Sequence, residues 1–170
     1  MQKIQYSFRR VAVFAGRYGH MPGKEPTKIR RVIEAAFDML WALHYFLLGE
    51  PAGCITNVIN TVRDFVFFHK DKKWANHRLV PVAFCIVTVV FTAAGGDGLK
   101  CLLPMVGSCL AVAGFWCNDA GNIRRFNFPA MLLWLIYGVI TGSVPTIIGN
   151  SLTLASIVMA EIKLHKSKIA

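Results

Sequence analysis

Residues suited to binding a small solute occur as two matched sets in this sequence, 93 positions apart. Each set has a tryptophan, then a polar ring about one helical turn later, then an asparagine beyond a glycine. An asparagine amide both donates and accepts hydrogen bonds, which suits a neutral polar ligand, and a tryptophan offers a flat wall to a ring-shaped solute. The candidate substrate-binding residues are Trp41, His44, Asn57, Trp134, Tyr137 and Asn150.

Each of these side chains also has a purely structural interpretation. Tryptophan in a membrane helix is often a packing residue or an interfacial anchor, and asparagine there often hydrogen-bonds to a neighbouring helix. A single histidine on an apolar face, such as His44, is more often a packing residue than a ligand or a proton relay. Both interpretations stay open from the sequence.

Two charged residues inside apolar stretches form a second candidate constellation. Asp38 precedes the glycine turn at Gly49 by about as many residues as Arg63 follows it, so antiparallel packing brings both to a similar depth. Charges at such a depth are costly and are usually paired. We predict an intramembrane ion pair between Asp38 and Arg63. This pair either has a function or only holds the two helices together. In a third alternative there is no pair, because the Arg63 side chain extends to the cytoplasmic headgroups instead.

The sequence carries no residue pattern typical of an enzyme. It has no G-x-S-x-G, Walker loop or H-E-x-x-H, and no paired carboxylates beside a histidine on one face. The five cysteines lie in or beside apolar segments without a C-x-x-C pair or a histidine at ligand spacing, so neither disulfides nor a zinc site are indicated. We expect no enzymatic activity, no cofactor and no metal.

The composition indicates that membrane helices position these residues. Hydrophobic residues make up 55% of the chain, charged residues 16%, and the mean hydropathy is +0.48, whereas in soluble proteins about a quarter of residues are charged. Six apolar segments, several of which need an extra turn to cross a bilayer, occur at residues 32–48, 52–68, 79–94, 101–116, 128–141 and 144–162. We therefore predict an all-α, polytopic protein with six transmembrane helices in the lipid bilayer.

The basic residues test this arrangement through their distribution. Lysine and arginine number eight before the first segment, four in the second connection, two in the fourth and three after the last segment, while the alternate connections hold only Lys100. Short cytoplasmic loops hold the positive charge, so both termini are expected in the cytoplasm. Because the basic residues lie between apolar segments, the net charge of +10 does not indicate nucleic-acid binding.

An internal repeat organises the segments, since residues 40–58 and 133–151 share one plan of helix, glycine turn and helix. Both copies run from inside to outside and back, which predicts parallel repeats related by an axis along the membrane normal. The predicted divisions are a basic cytoplasmic tail at 1–31, a first repeat hairpin at 32–69, a linker helix at 79–94, a second three-helix repeat at 101–162 and a basic cytoplasmic tail at 163–170.

Several short motifs resemble a known family. The motifs are HYFLLG at residues 44–49, PAG at 51–53, Asn60 with Arg63, and LLPMVGS at 102–108; they resemble the YgjV family of bacterial inner-membrane proteins over about residues 30–165. More distantly, W-x-x-Y-G at 134–138, with Pro145 and Asn150, is similar to the PQ-loop and SWEET transporter superfamily, which builds seven helices as three, one and three.

The resemblance implies a location in the bacterial inner membrane and, from the distant superfamily, asparagines that line a transport pocket. It also implies a further apolar helix before the first repeat, which residues 1–31 do not supply. The fold is therefore expected to be SWEET-like with its first helix missing. Either the chain is a naturally shortened form or its start is wrongly assigned, and we favour the second.

Two hypotheses on function follow. The first is a small passive or proton-coupled carrier for a small polar solute, which rocks one bundle against the other around a site near the midplane. The second is a membrane scaffold that binds a partner or lipid without transport, with its basic cytoplasmic face on anionic headgroups. A homodimer is a further expectation, because an incomplete bundle leaves surface to cover.

Overall fold

The computed structural model describes residues 28–95, 98–117 and 120–169, and all regular secondary structure in these ranges is helical. The all-α prediction is therefore confirmed for this part of the chain. The predicted N-terminal tail lies outside the described residues up to residue 27. The six α-helices are α1 (Lys28–Leu48), α2 (Pro51–Phe68), α3 (Leu79–Ala94), α4 (Leu102–Trp116), α5 (Ala120–Ile140) and α6 (Val144–Ile169), with a 3-10 helix at Gly98–Cys101.

The helices extend beyond the apolar segments at three places. Helix α1 begins at Lys28, inside the predicted tail, α5 begins at Ala120 rather than near residue 128, and α6 continues to Ile169. Hydropathy marks only the part of a helix in apolar surroundings, while its backbone hydrogen bonds continue into water. The extended start of α5 is joined to α6 by a bond of 2.6 Å from Arg124 Nε to Glu161 Oε1.

The helices differ in how well each suits a bilayer by itself. Within the described residues, three stretches are long and apolar enough to cross a membrane, namely Gly98–Trp116, Gly121–Ile140 and Val144–Ile162. Leu79–Ala94 is apolar but shorter. The two helices of the first hairpin do not meet the same criteria, because α1 carries basic and acidic residues in its first half and α2 carries Arg63 and Asp64.

Burial in α2 is the reverse of that in a soluble helix. Its buried face is largely polar and includes Asn57, Asn60 and Asp64, while Val62 and Phe65 on the opposite face are exposed. In water such a helix would expose apolar surface and bury polar groups at a cost. In lipid the same pattern is favourable, because the apolar face meets hydrocarbon and the polar groups bond with one another.

The turns at the two hairpins have the same backbone geometry. Gly49 follows α1 with φ of 76°, and Gly142 follows α5 with φ of 67°, a left-handed conformation that glycine adopts without steric cost. In each turn the next residue donates to the carbonyl five positions earlier, as in the Schellman motif. These bonds are Glu50 N to Tyr45 O at 3.0 Å and Ser143 N to Gly138 O at 2.8 Å.

The packing order follows the chain. Helix α1 packs against α2, α2 also contacts α3 and α4, α4 packs against α5, and α5 packs against α6. Among the described residues the two hairpins have few backbone contacts with each other. They meet instead through side chains near the glycine turns. That region contains one buried apolar cluster, and another lies around Phe67 and Phe115.

Candidate functional site

Four of the six predicted binding residues meet near the glycine turns, around a tyrosine that the sequence did not single out. We call this group the aromatic cluster; it consists of Trp41, His44, Tyr45, Trp134 and Tyr137. Ring centroids of Tyr45 lie 5.9 Å from Trp134 and 5.5 Å from Tyr137, which is a favourable aromatic separation. Helices α1 and α5 therefore meet through their rings.

The polar atoms of the aromatic cluster bond across the two hairpins. Tyr45 Oη lies 2.8 Å from Thr146 Oγ1 on α6. In the opposite direction, the N–H of Gly53 on α2 donates to Tyr137 Oη on α5 at 3.1 Å. Gly53 has no side chain to hold Tyr45 away, since a Cβ there would lie 2.7 Å from Tyr45 Cγ. The sequence offered this glycine as part of a motif but not its contact.

Two further hydrogen bonds join positions that the predicted repeat relates to each other. His44 Nε2 lies 2.7 Å from Ser143 Oγ, and Tyr137 Oη donates to Glu50 Oε2 at 3.3 Å. A shift of 93 positions carries His44 onto Tyr137 and Glu50 onto Ser143. In both bonds, a ring that precedes the glycine turn of one hairpin contacts the residue just before the second helix of the other hairpin. We call these two bonds the reciprocal contacts.

A salt bridge and a shallow groove lie beside the reciprocal contacts. Lys100 Nζ is 2.6 Å from Glu50 Oε2, so the connection before α4 is tied to the first turn. The groove has a volume of about 360 Å³ and is open to the surface. Its lining includes Glu50 and otherwise consists of apolar or small residues: Phe46, Gly49, Pro51, Cys54 and Ile55.

The two predicted asparagines lie apart from this groove. Asn57 is buried, and its Nδ2 donates to the carbonyl of Gly53 at 2.7 Å. Asn150 is half-buried on α6. A Cβ added to the preceding residue, Gly149, would lie 3.5 Å from the Trp41 ring, which is an ordinary contact distance. In this conformation the amide of Asn57 is therefore engaged with its own helix, and the aromatic residues pack against one another.

A second group, which we call the ionic cluster, lies farther from the turns. It consists of Arg31, Glu34 and Asp38 on α1 and Asn60, Arg63 and Asp64 on α2. Arg63 is almost fully buried, and its Nη2 lies 3.4 Å from Asp38 Oδ2. These are the two residues that the sequence predicts to pair. The guanidinium bonds more closely to Asp64, with Nε 2.8 Å from Oδ1, a partner that sequence reasoning missed.

The rest of the ionic cluster is also compact. Arg63 Nη1 donates to Asn60 Oδ1 at 3.0 Å, and Asn60 Nδ2 donates to Ser108 Oγ on α4 at 3.1 Å. Arg31, also buried, lies 3.3 Å from Glu34. The guanidinium carbons of Arg31 and Arg63 lie 4.8 Å and 5.0 Å from the ring centroid of Phe115, within the range of a cation–π interaction.

Asp64 could have been identified from a signal present in the sequence, whereas the repeat gave none for Tyr45. Asp64 follows Arg63 directly, so both are intramembrane charges by position, but only the arginine was matched by depth with Asp38. Tyr45 was overlooked because the repeat aligns it with Gly138, and so it had no counterpart. Among the described residues, no group of three or more histidine, cysteine, aspartate or glutamate side chains is placed to hold a metal ion.

Comparison with known proteins gives one family. The sequence model of the Imp-YgjV family, described as bacterial inner membrane protein, matches residues 9–168. This match begins earlier than the stretch 30–165 to which the resemblance was assigned from motifs. None of the curated proteins and none of the solved structures compared with the chain matches it. Because the family match covers well over half of its length, the chain belongs to the Imp-YgjV family of bacterial inner membrane proteins.

Proposed function

We propose that this inner membrane protein is a carrier for a small polar solute and works by alternating access. The hairpins α1–α2 and α5–α6 rock against each other, and α3 is the linker between two parallel repeats. The observation that supports this most is the pair of reciprocal contacts, His44 with Ser143 and Tyr137 with Glu50. Contacts that exchange in this way are expected where two similar halves face each other across an axis.

The chemistry of the reciprocal contacts suits a gate. They are single hydrogen bonds between side chains, worth about 0.5–1.5 kcal/mol net for His44 with Ser143 and about 1.5–3 kcal/mol for Tyr137 with the charged Glu50, and the hairpins have few backbone contacts that would have to break with them. The aromatic cluster adds ring contacts of about 0.5–1.5 kcal/mol each. Opening this end also breaks the bonds of Tyr45 with Thr146 and of Gly53 with Tyr137, so it is a change of several kcal/mol, which the binding of a solute can offset.

In this proposal the solute binds between the aromatic cluster and the ionic cluster. Trp41 and Trp134 would form its walls, and Asn57 and Asn150 would supply hydrogen bonds from the two repeats. The bond from Asn57 Nδ2 to Gly53 O is then a feature of the closed state. Gly53 also donates to Tyr137. Opening the aromatic cluster would therefore break a hydrogen bond of Gly53, the same residue whose carbonyl accepts the bond from Asn57.

The proposed topology has six crossings with both termini in the cytoplasm. The glycine turns, the reciprocal contacts and the Glu50–Lys100 salt bridge then face the periplasm, and the ionic cluster lies in the inner half. This follows from the alternation of basic connections. The conformation described above is accordingly closed towards the periplasm. The distant similarity to the PQ-loop and SWEET superfamily is part of the same proposal.

A second candidate function is a scaffold that binds lipid or a protein partner, including a second copy of the chain, without transport. Two observations favour it. Asn57 is buried and bonded to its own helix, as expected of a packing residue. The connection between α2 and α3 exposes Trp74 beside Lys72 and Lys73, which is a combination suited to anionic headgroups at a membrane surface.

Cysteine accessibility separates the two candidates. The reporters are Asn57→Cys and Asn150→Cys, each in a background without the five native cysteines, treated with a membrane-impermeant maleimide in spheroplasts and in inside-out vesicles. A carrier should be labelled at both positions from at least one side. Weakening the gate with His44→Ala and Tyr137→Phe should increase labelling from the periplasmic side several-fold. Val58→Cys is the matched control. Val58 follows Asn57 but lies on an exposed apolar face that would meet lipid, so this cysteine should stay unlabelled.

The scaffold predicts a different set of results. Both reporters would be unreactive from either side, and the gate variants would change nothing. That outcome, with folded protein shown by monodisperse size-exclusion profiles, would rule out the carrier. A positive result would be followed by thermal unfolding of the purified protein against sugars, amino acids and carboxylates, since a ligand at about a hundred times its Kd stabilises by about 2.7 kcal/mol.

A further inference from the structure

We propose that the contact between the two hairpins is an acid-sensitive switch, which stays closed while the imidazole of His44 is neutral and opens when it takes up a proton. The observation behind it is a chain of side-chain hydrogen bonds between α1 and α6. The switch is a property of this contact by itself. Only its use to control a transport gate rests on the proposed function.

The chain consists of three hydroxyl groups and ends at the imidazole. Tyr45 Oη lies 2.8 Å from Thr146 Oγ1. Thr146 Oγ1 lies 2.5 Å from Ser143 Oγ, which in turn lies 2.7 Å from His44 Nε2. The three hydroxyl-bearing residues are at most 2% exposed, so water cannot replace a partner that is lost. His44 itself is half-buried.

The number of hydrogens in the chain fits a neutral imidazole. There are three contacts, and each hydroxyl group brings one hydrogen. Tyr45 then donates to Thr146, Thr146 donates to Ser143, and Ser143 donates to Nε2 of His44. Ser143 Oγ also accepts from the backbone N–H of Thr146 at 3.4 Å, so both of its acceptor positions are used. This arrangement assigns the hydrogen of the neutral ring to Nδ1.

A protonated imidazole brings a fourth hydrogen to the same three contacts. Nε2 then has to donate to Ser143, and the direction of the other bonds is reversed. Whichever way the hydroxyl groups turn, one hydrogen of Tyr45 or Thr146 is left over, and no further acceptor lies within hydrogen-bond distance of either group among the described residues. A buried donor without a partner is costly. Separating α1 from α6 removes this cost, because water then reaches the hydroxyl groups.

The surroundings of His44 supply no counter-ion that would hold the proton in the closed state. Within the described ranges its hydrogen-bond and ring contacts are neutral: Trp41, Tyr45 and Ser143. The charged groups at this end are Glu50, before α2, and Lys100, before α4, which lie 2.6 Å apart and neutralise each other. Tyr137 on α5 donates to the same carboxylate, so it faces Glu50 rather than the imidazole.

The direction of the pH effect follows from these contacts. The closed conformation excludes a proton that the open conformation accepts, so a lower pH shifts the balance towards the open form. Histidine is the side chain that ordinarily changes its charge between pH 5 and 8. We therefore expect the hairpins to be in contact at pH 8 and to separate as the pH falls to about 5.

A distance measurement between the hairpins tests the switch without any solute. Spin labels at Leu47→Cys on α1 and Ile148→Cys on α6, two exposed positions, are introduced in a background without the native cysteines, and the protein is reconstituted in lipid nanodiscs. Electron–electron double resonance should show a longer distance at pH 5 than at pH 8. His44→Gln should keep the short distance at both, because its amide oxygen can accept from Ser143 but cannot take up a proton. His69→Gln, at an exposed histidine far from this contact, is the matched control and should respond like the parent.

Three results would overturn the proposal. The first is a parent protein whose distance does not change with pH, and the second is a His44→Gln variant that still responds, since another group would then be titrating. The third is a long distance in His44→Gln at both values of pH, because an acceptor at this position should suffice to hold the hairpins together. A pH-dependent distance in a protein whose Asn57→Cys and Asn150→Cys reporters stay unlabelled would support the switch and reject the carrier. The reverse combination would reject the switch alone.

Discussion

Tyr45 Oη lies 2.8 Å from Thr146 Oγ1, so one buried hydrogen bond joins the first and last helices across 101 positions of sequence. Thr146 keeps a second partner in Ser143 when this bond is removed. We therefore expect Tyr45→Phe to lower the free energy of unfolding by about 1 kcal/mol, the net value of a typical hydrogen bond. Thermal unfolding of Tyr45→Phe, Thr146→Val and the double variant measures the coupling. A coupling of zero would mean that the two hydroxyls do not bond.

Gly53 lies against one ring from each hairpin, Tyr45 and Tyr137. A Cβ there would lie 2.7 Å and 2.8 Å from two ring atoms of Tyr45 and 3.0 Å from Tyr137, and both rings are fully buried. We expect Gly53→Ala to destabilise the protein by about 1–3 kcal/mol through overpacking. Gly149→Ala is the matched control, because its Cβ would meet Trp41 only at 3.5 Å; it should be neutral or stabilising by up to about 1 kcal/mol. Equal effects of the two variants would contradict this packing.

The two turn glycines should respond alike to substitution. Gly49 and Gly142 have positive φ, and an added Cβ would meet nothing within 4 Å at either position, so only backbone strain is introduced. Gly49→Ala and Gly142→Ala should each cost about 1–2 kcal/mol. Asparagine, which tolerates the left-handed conformation better, should cost less at both. A cost at one position alone would argue against equivalent turns, and chemical or thermal unfolding would detect it.

Two arginines provide a contrast between buried and exposed ion pairs. Arg63→Met leaves two carboxyl groups in the ionic cluster without the guanidinium they share, and we expect a loss of about 3–5 kcal/mol, the range for breaking a buried pair. Arg124→Met removes a partner of Glu161, which is 55% exposed, and should cost no more than about 1 kcal/mol. Unfolding in mixed micelles compares the two. Similar losses would place the ionic cluster in contact with water.

The proposed topology has a direct chemical test. Lys73→Cys, in the connection between α2 and α3, should react with an impermeant maleimide only in inside-out vesicles. Leu99→Cys, at a position 85% exposed beside Lys100, should react only from the periplasmic side of spheroplasts. Reaction of both cysteines from the same side would contradict this topology, because it requires an even number of crossings between residues 73 and 99 instead of the single crossing of α3.

Helix positions were largely predictable, because apolar length determines where a chain can lie in a bilayer. Four helix starts fall within one residue of the predicted ones, while α1 and α5 begin earlier. The polar first turns of α5, with Arg124 bonded to α6, are stabilised by helix contacts that hydropathy does not register. The prediction that the chain is all-helical depended only on composition and periodicity, which a single sequence contains.

The candidate site was predictable in its members more than in its contacts. The repeat singled out His44 and Tyr137, which both contact Tyr45, but the bonds they make are with Ser143 and Glu50, which lie in turns. Those partners follow from the crossing of two hairpins, a long-range arrangement that spacing within one hairpin does not encode. Asp64 was missed for a different reason: it follows Arg63 directly, but only Arg63 was matched by depth with Asp38.

The polar buried face of α2 bears on how the protein is made. Neither helix of the first hairpin is apolar enough to meet the criteria for a single span, and Asn57, Asn60 and the Arg63–Asp64 pair would face hydrocarbon if α2 entered alone. In the closed hairpin, Arg63 also meets Asp38 on α1. We therefore expect the two helices to leave the translocon as one unit, held back at its exit until the hairpin has closed.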